Sequence, residues 1–293
     1  MQPLNNVDNY LPLVTLQEEH NDLAPILCVP GAGGSVANFL SLVNALKTDR
    51  SVYGFQPRGL DGVHAPHDSV SSAAECYVRA FDAAWENKAV NLLGHSFGGW
   101  IVFDMAEKFL AMGRKVESLI IVDSDAPDKS DATAKHLDEV EILLKFINIV
   151  EQMVEQPIQI NESELRSSSK AGCREIIHQR MVKFGLLPKQ SNADVLTGII
   201  QTFSSCLRIS YIPKQVYPYL THLVLMNEPK LDAEQNKKKH LKCVEGWRLW
   251  APNLVVWYSP GNHMTAFKYP HVNIVASWLQ KTVLSSEDIR IYY

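Results

Sequence analysis

The chain has 293 residues, 46% of them hydrophobic and 20% charged, with 28 Lys plus Arg against 32 Asp plus Glu. Length and composition suit one large globular core, or two small ones, that needs no disulfide or metal to hold it. A formal charge of −4 leaves no positive excess to draw the chain onto phosphate backbones, which argues against nucleic acid as a partner. The five cysteines, Cys28, Cys76, Cys173, Cys206 and Cys243, are scattered and lack metal-ligand spacing, so neither a disulfide framework nor a zinc site is expected. Met1 to Asn9 is polar rather than signal-like, and no apolar run approaches the ~18 residues that cross a bilayer. A soluble, cytoplasmic protein without a membrane partner is the expectation.

Short apolar runs alternate with helical patterns from Pro25 onward, the mark of a largely parallel sheet with helices on its faces. Ile26 to Val29 predicts a short buried strand, and Ser35 caps a helix carrying Val36, Phe39, Leu40, Leu42, Val43 and Leu46. Ser51 to Phe55 predicts the next strand, broken at Pro57 and Gly59. A helix follows over Ser69 to Trp85, with Ala73, Cys76, Tyr77, Ala80, Phe81 and Ala84 along one face. Ala89 to Leu93 predicts a strand, Phe97 to Met112 a helix stopped by Gly113, and Val116 to Val122 a central strand buried on both sides.

The alternation then stops for about a hundred residues, where a crossover requires only a dozen or more. Helical patterns fill that stretch, over Lys135 to Val154, Ser163 to Phe184 and Asn192 to Ile209. The core resumes with strands Leu223 to Met226 and Asn253 to Tyr258 and a closing helix from His271 to Leu284. We therefore expect an α/β core formed by 1–127 and 218–293, with 128–217 inserted as a helical lid. The basic run Lys237, Lys238, Lys239, His240, Leu241 and Lys242 is expected to be solvated surface.

The strongest chemical signal is Gly94-His95-Ser96-Phe97-Gly98, a G-x-S-x-G pattern set between a strand and a helix. A serine on so sharp a turn leaves no space for side chains two residues to either side, hence glycine at 94 and 98. The turn lifts the Ser96 hydroxyl above the sheet, and the Phe97 amide at the helix start points toward a developing oxyanion. An alcohol is a weak nucleophile near neutral pH; it needs a histidine base steadied by a carboxylate, in the chain order Ser, acid, His. Of ten histidines, His263 in Pro260-Gly261-Asn262-His263 stands just past a late strand, where a loop can reach back to the serine. Asp123, at the tip of the strand ending in Val122, is the preferred acid; Glu228, beyond the following strand, competes with it. The glycine-rich Val29-Pro30-Gly31-Ala32-Gly33-Gly34 offers the second oxyanion donor, with the Ala32 amide as the candidate. A nucleotide-binding loop is excluded there. Val36 stands where the third glycine of Gly-x-Gly-x-x-Gly is needed, and no Gly-Lys-Ser/Thr follows.

Together with Val52-Tyr53-Gly54-Phe55-Gln56-Pro57-Arg58-Gly59-Leu60-Asp61-Gly62 and Ile121-Val122-Asp123-Ser124, these motifs resemble the terminal, type I thioesterase domains of nonribosomal peptide synthetases, within the α/β-hydrolase superfamily. The likeness runs from Leu11 to Leu284, and the Tyr-Gly-x-Gln-x-x-Gly-Leu-Asp-Gly loop is its most specific part. The resemblance implies an α/β-hydrolase fold and favours Asp123 over Glu228. It also implies acyl transfer from the phosphopantetheine thioester of an upstream peptidyl carrier protein domain to Ser96, and release by hydrolysis or macrocyclisation. The domain itself is then expected to bind no cofactor. With Met1 at its start and no Gly-Gly-x-Ser attachment site, the chain reads as an excised terminal domain or a free-standing enzyme. In the second case it resembles a type II editing thioesterase, from which its long insertion sets it apart. A general serine carboxylesterase keeps the same three residues, whereas a non-catalytic hydrolase-fold binding protein usually loses one, and none is missing here. Phe146, Met153, Met181, Phe184 and Phe203 sit at helical spacing and are read as lid core before acyl pocket.

Overall fold

The computed structural model describes residues 9–85, 87–128 and 137–284. Among these, seven strands form one sheet: β1 (Leu13–Gln17), β2 (Ile26–Val29), β3 (Val52–Phe55), β4 (Val90–His95), β5 (Val116–Val122), β6 (Thr221–Leu225) and β7 (Leu254–Tyr258). Their order is β1-β3-β2-β4-β5-β6-β7; β1 runs antiparallel to β3 and all other neighbours are parallel. Helices α1 (Leu40–Leu46), α2 (Val70–Asp82) and α3 (Phe97–Ala111) follow β2, β3 and β4. Between β5 and β6 lie α4 (Glu139–Val154), α5 (Glu162–Arg166), α6 (Lys170–Lys183) and α7 (Thr197–Arg208). The last strands are joined by α8 (Ala233–Arg248), and α9 (His271–Trp278) closes the chain as described, running on as a π turn to Val283.

Side chains alternate across a strand, so the fully buried β2 feeds two cores. Leu27 and Val29 join α2, α3 and α8 through Tyr77, Phe81, Phe103, Phe109 and Trp247. Ile26 and Cys28 point to the opposite face, among Leu42, Val43 and Leu46 of α1 and Val272, Val275 and Ala276 of α9. Helices on both faces explain why β2 to β6 read as short, mainly apolar runs rather than as alternating ones. A third cluster is built from the inserted helices: Ile142, Phe146, Ile147, Val150, Ile177, Met181, Leu196 and Phe203.

Local chemistry moved several boundaries. The helix expected from Val36 begins as a 3₁₀ turn to Phe39, with Ser35 accepting from the Ala37 amide. The pattern from Ser163 to Phe184 is two helices, because Ser167 and Ser168 turn their hydroxyls onto the Glu164 carbonyl and Ser169 caps α6. Asn192 likewise caps a 3₁₀ turn, Ala193–Leu196, before α7. The helix expected from Lys135 starts at α4, where Asp138 and Glu141 form a reciprocal capping box; 135 and 136 lie outside the described residues.

His222, on β6, tests how burial couples to acid stability. It is 5% exposed, its Nδ1 has no partner among the described residues, and burial pushes its pKa down to about 4. The unfolded chain takes up that proton near the ordinary value of about 6.5, so between there and pH 4 it binds more protons than the fold. Stability is therefore complete above the upper value and drains away as pH falls. His222→Phe, which keeps a ring against Trp278, is expected to flatten the fall of the thermal midpoint between pH 6.5 and 4. Equal slopes for the two proteins would reject the assignment.

Candidate active site

The strand order reverses at β2, where β2 and its neighbour β4 lead to α1 and α3 on opposite faces of the sheet. In sheets of this kind, ligands settle at the carboxyl ends of the strands flanking such a reversal. There the β2 and β4 loops open a cavity of about 710 Å³, lined by Gly31, Ala32, Ser96, Phe97, Asp123 and His263 among others. Sequence reasoning named all six positions.

Ser96 sits between β4 and α3 at φ +55° and ψ −124°, a region that side-chain-bearing residues seldom occupy. Its amide donates to the Val122 carbonyl at 2.8 Å, and its carbonyl accepts from the Gly99 amide at 2.8 Å. These bonds lock the turn. The close approach expected at the flanking glycines is present: a Cβ at Gly94 would overlap the Gly98 carbonyl, and one at Gly98 would overlap that of Val29. Gly31 closes over the serine from β2, since a Cβ there would lie 2.9 Å from that of Ser96. Among the described residues, the Ala32 and Phe97 amides are spent on no turn, loop or side-chain hydrogen bond.

Asp123 stands one residue past β5 at φ +46°, its Oδ2 2.7 Å from Nδ1 of His263 and its Oδ1 accepting from the Met226 amide at 3.2 Å. Burial pushes its pKa up, but the His263 hydrogen bond and the charges of His263 and Lys239 outweigh that and hold the carboxyl below its usual value. Asp123 therefore fixes the Nδ1 side of the ring and leaves Nε2 as the nitrogen free to face the cavity. Among the described residues no hydrogen bond joins Nε2 to the Ser96 hydroxyl; in unliganded enzymes this contact is often long and tightens with substrate. Glu228 also lines the cavity, but both its oxygens accept from Nε2 of Gln152 at 3.1 Å. The structure brings Asp123, not Glu228, to His263.

Other supports went unrecognised in the sequence. Oδ1 of Asn262 accepts from the Met264 and Thr265 amides at 2.9 and 3.1 Å, shaping the turn that carries His263. The Asn-x-x-Thr spacing was the available signal. Oε1 of Gln56 accepts from the Ser35 hydroxyl and the Val36 amide, both at 3.1 Å, and pins the turn after the glycine-rich loop. The basic run proves only partly solvated. Lys237, Lys238, Leu241 and Lys242 are exposed, yet Lys239 lines the cavity and buried His240 donates to the Met226 carbonyl at 2.8 Å. Of the five apolar side chains read from the insertion, Phe203 lines the cavity and Phe146 and Met181 are buried in the insertion's own cluster. The wall there is mixed, with Lys145, Asn148 and Gln152 beside Leu144 and Ile149.

Cys206 and Cys243 also reach the cavity, but burial pushes each thiol up to about 12, far from the thiolate that would compete with Ser96. No cluster of three or more His, Cys, Asp or Glu among the described residues is arranged to hold a metal ion.

A family model described as a thioesterase domain matches residues 24–282. The nonribosomal peptide synthetase btyA of Aspergillus terreus is 28% identical over 157 residues, which are 54% of this chain and 17% of that protein. The chain spans less than a fifth of the length of the curated relatives it matches. Among solved structures, the Vlm2 thioesterase domain bound with a dodecadepsipeptide superposes with a TM-score of 0.66 at 21% identity, over 93% of this chain and 98% of that one. AB3403, a four-domain nonribosomal peptide synthetase, does so with a TM-score of 0.77 at 19% identity, over 92% of this chain and 20% of that one. These two share the fold. The family match extends over nearly all of the sheet and its helices, and the chain belongs to the thioesterase domain family.

Proposed function

We propose that this chain is a serine thioesterase that takes a peptidyl group from the phosphopantetheine arm of a peptidyl carrier protein and releases it by hydrolysis or macrocyclisation. Ser96 is the nucleophile, His263 the general base and Asp123 the acid that orients it. The Ser96 hydroxyl attacks the thioester carbonyl while Nε2 of His263 takes its proton, and the Ala32 and Phe97 amides hold the negative oxygen. The tetrahedral species collapses, the carbon–sulfur bond breaks, and His263 returns the proton to the departing thiolate. That leaves an ester on Ser96. His263 then deprotonates water, or an amine or hydroxyl of the same peptide, and the second collapse regenerates the serine.

The observation that carries this reading is the convergence on one cavity of a strained serine and a histidine whose Nδ1 is held at 2.7 Å by a buried carboxylate. The peptide and the carrier rest on the relatives: btyA is a peptide synthetase, and Vlm2 binds a depsipeptide in the same fold. We read 128–217 as a lid over the cavity, because its helices keep a hydrophobic cluster of their own. The cytoplasm suits five free cysteines. No described helix is long and apolar enough to cross a membrane.

Incubation with a pantetheine-linked peptidyl thioester is expected to add the mass of the acyl group to the protein, map it to Ser96, and release acid or macrocycle. Thiol release with the acyl group on another residue, or none at all, would refute the proposal.

A further inference from the structure

The residue before the nucleophile is itself an imidazole, and no part of the mechanism above uses it. His95 ends β4 with its side chain buried, 7% exposed. Its Nε2 lies 2.9 Å from the main-chain carbonyl of His263, 168 residues away in sequence. A carbonyl oxygen can only accept, so Nε2 of His95 carries the hydrogen. The two imidazole rings meet at an angle, centroids 4.7 Å apart and planes 35° apart, and Phe267 makes an edge-type contact with the His95 ring at 5.5 Å between centroids. His95 therefore touches the base at two points, its backbone and its ring, while Asp123 holds a third at Nδ1.

We propose that His95 is a positioning residue for the general base: its Nε2–H anchors the His263 carbonyl, and its ring forms the wall that keeps the His263 imidazole turned toward Ser96. The proposal rests on His263 being the base, as read above. Burial and the neighbouring His263 push the His95 pKa down to about 3. It thus stays neutral when His263 takes the serine proton, and no second cation opposes the imidazolium it packs against. The anchor also links the two strand ends the reaction must bring together, since His95 belongs to the strand that carries Ser96 and His263 to the loop after β7. A histidine that merely filled the core would leave the rate constant indifferent to its hydrogen bond. One that positions the base would not.

The test compares His95→Phe, which keeps a ring and loses the donor, with His95→Gln, whose amide nitrogen reaches about as far as Nε2. His95→Phe is expected to lower kcat for a pantetheine thioester about ten-fold, with KM little changed, because a slightly misaimed base slows chemistry more than binding. His95→Gln is expected to recover most of that loss. Reaction of Ser96 with a serine-directed phosphonate should fall and recover in parallel. Unchanged kcat in His95→Phe, a loss carried by KM alone, or no rescue by glutamine would each overturn the proposal. Wild-type nitrogen-15 imidazole spectra give a reading that survives a misfolded variant: His95 is expected as the neutral Nε2–H tautomer from pH 8 down to pH 5, and a titrating or Nδ1–H His95 would also overturn it. Turnover persisting in Ser96→Ala would instead sink the serine mechanism, so the two failures are distinct.

Discussion

Ser96→Ala and His263→Ala are each expected to lower turnover of a pantetheine thioester by about 10⁴-fold or more, and the double variant is expected to be no slower than either alone. The two residues act through one proton. Without the base, the hydroxyl stays an alcohol; without the alcohol, the base has nothing to activate but water. Asp123→Asn should cost a comparable factor for a different reason. An asparagine amide can donate to Nδ1, which would put the ring proton on Nε2 and point a donor at the Ser96 hydroxyl in place of an acceptor. Steady-state rates with each variant, checked for unchanged fold by circular dichroism, decide the matter. Losses that add in the double variant would mean that the 2.7 Å pair at Asp123 and His263 is structural and that Ser96 works without it.

The core and the site were legible wherever burial was complete. Strands β2 to β6 lie under helices on both faces, so their apolar runs stand out, and the strained turn at Ser96 demands glycines that are visible in the sequence. Legibility failed where burial is partial or the buried face is polar. Strand β1 is an edge strand with no fully buried residue, and its apolar run is interrupted at Thr15. Helix α8 buries one narrow stripe, Asn236, His240, Cys243, Val244 and Trp247, and the first two are polar, so a lysine-rich surface masked it. Asp123 and Glu228 could not be separated by spacing, because each follows a strand of the parallel sheet. The choice depends on where the His263 loop falls, and that is set by Asn262 and by the carbonyl that His95 holds. Such bonds join positions far apart in the chain and leave no periodic trace.

Gly198→Ala, far from the triad in sequence and touching none of it, is expected to reduce kcat about 100-fold, because α7 is wedged between two loops that the site depends on. On one side a Cβ at Gly198 would overlap the Leu60 carbonyl and come within 2.7 Å of the Gly62 amide, so the helix rests directly on the backbone of the Gly59–Gly62 loop. On the other side α7 meets the oxyanion loop: a Cβ at Gly33 would lie 3.0 Å from that of Phe203 and 3.2 Å from the Ile199 carbonyl. Ala32, whose amide we assign to the oxyanion, packs against the same hydrophobic cluster as Phe203 rather than against the sheet. A methyl group at 198 faces rigid backbone, so α7 must move, and the loop bearing Ala32 moves with it. The donor then misses the developing charge, which slows chemistry more than binding. Gly172→Ala in α6 is the control. The atoms a Cβ there would meet belong to the side chains of Ser168 and Ser169, the nearest at 3.3 Å, and among the described residues no loop of the site lies against it, so activity should be retained. Full activity in Gly198→Ala would show that the oxyanion loop holds its place without the inserted helices, and that the proposed lid only covers the site it was argued to shape.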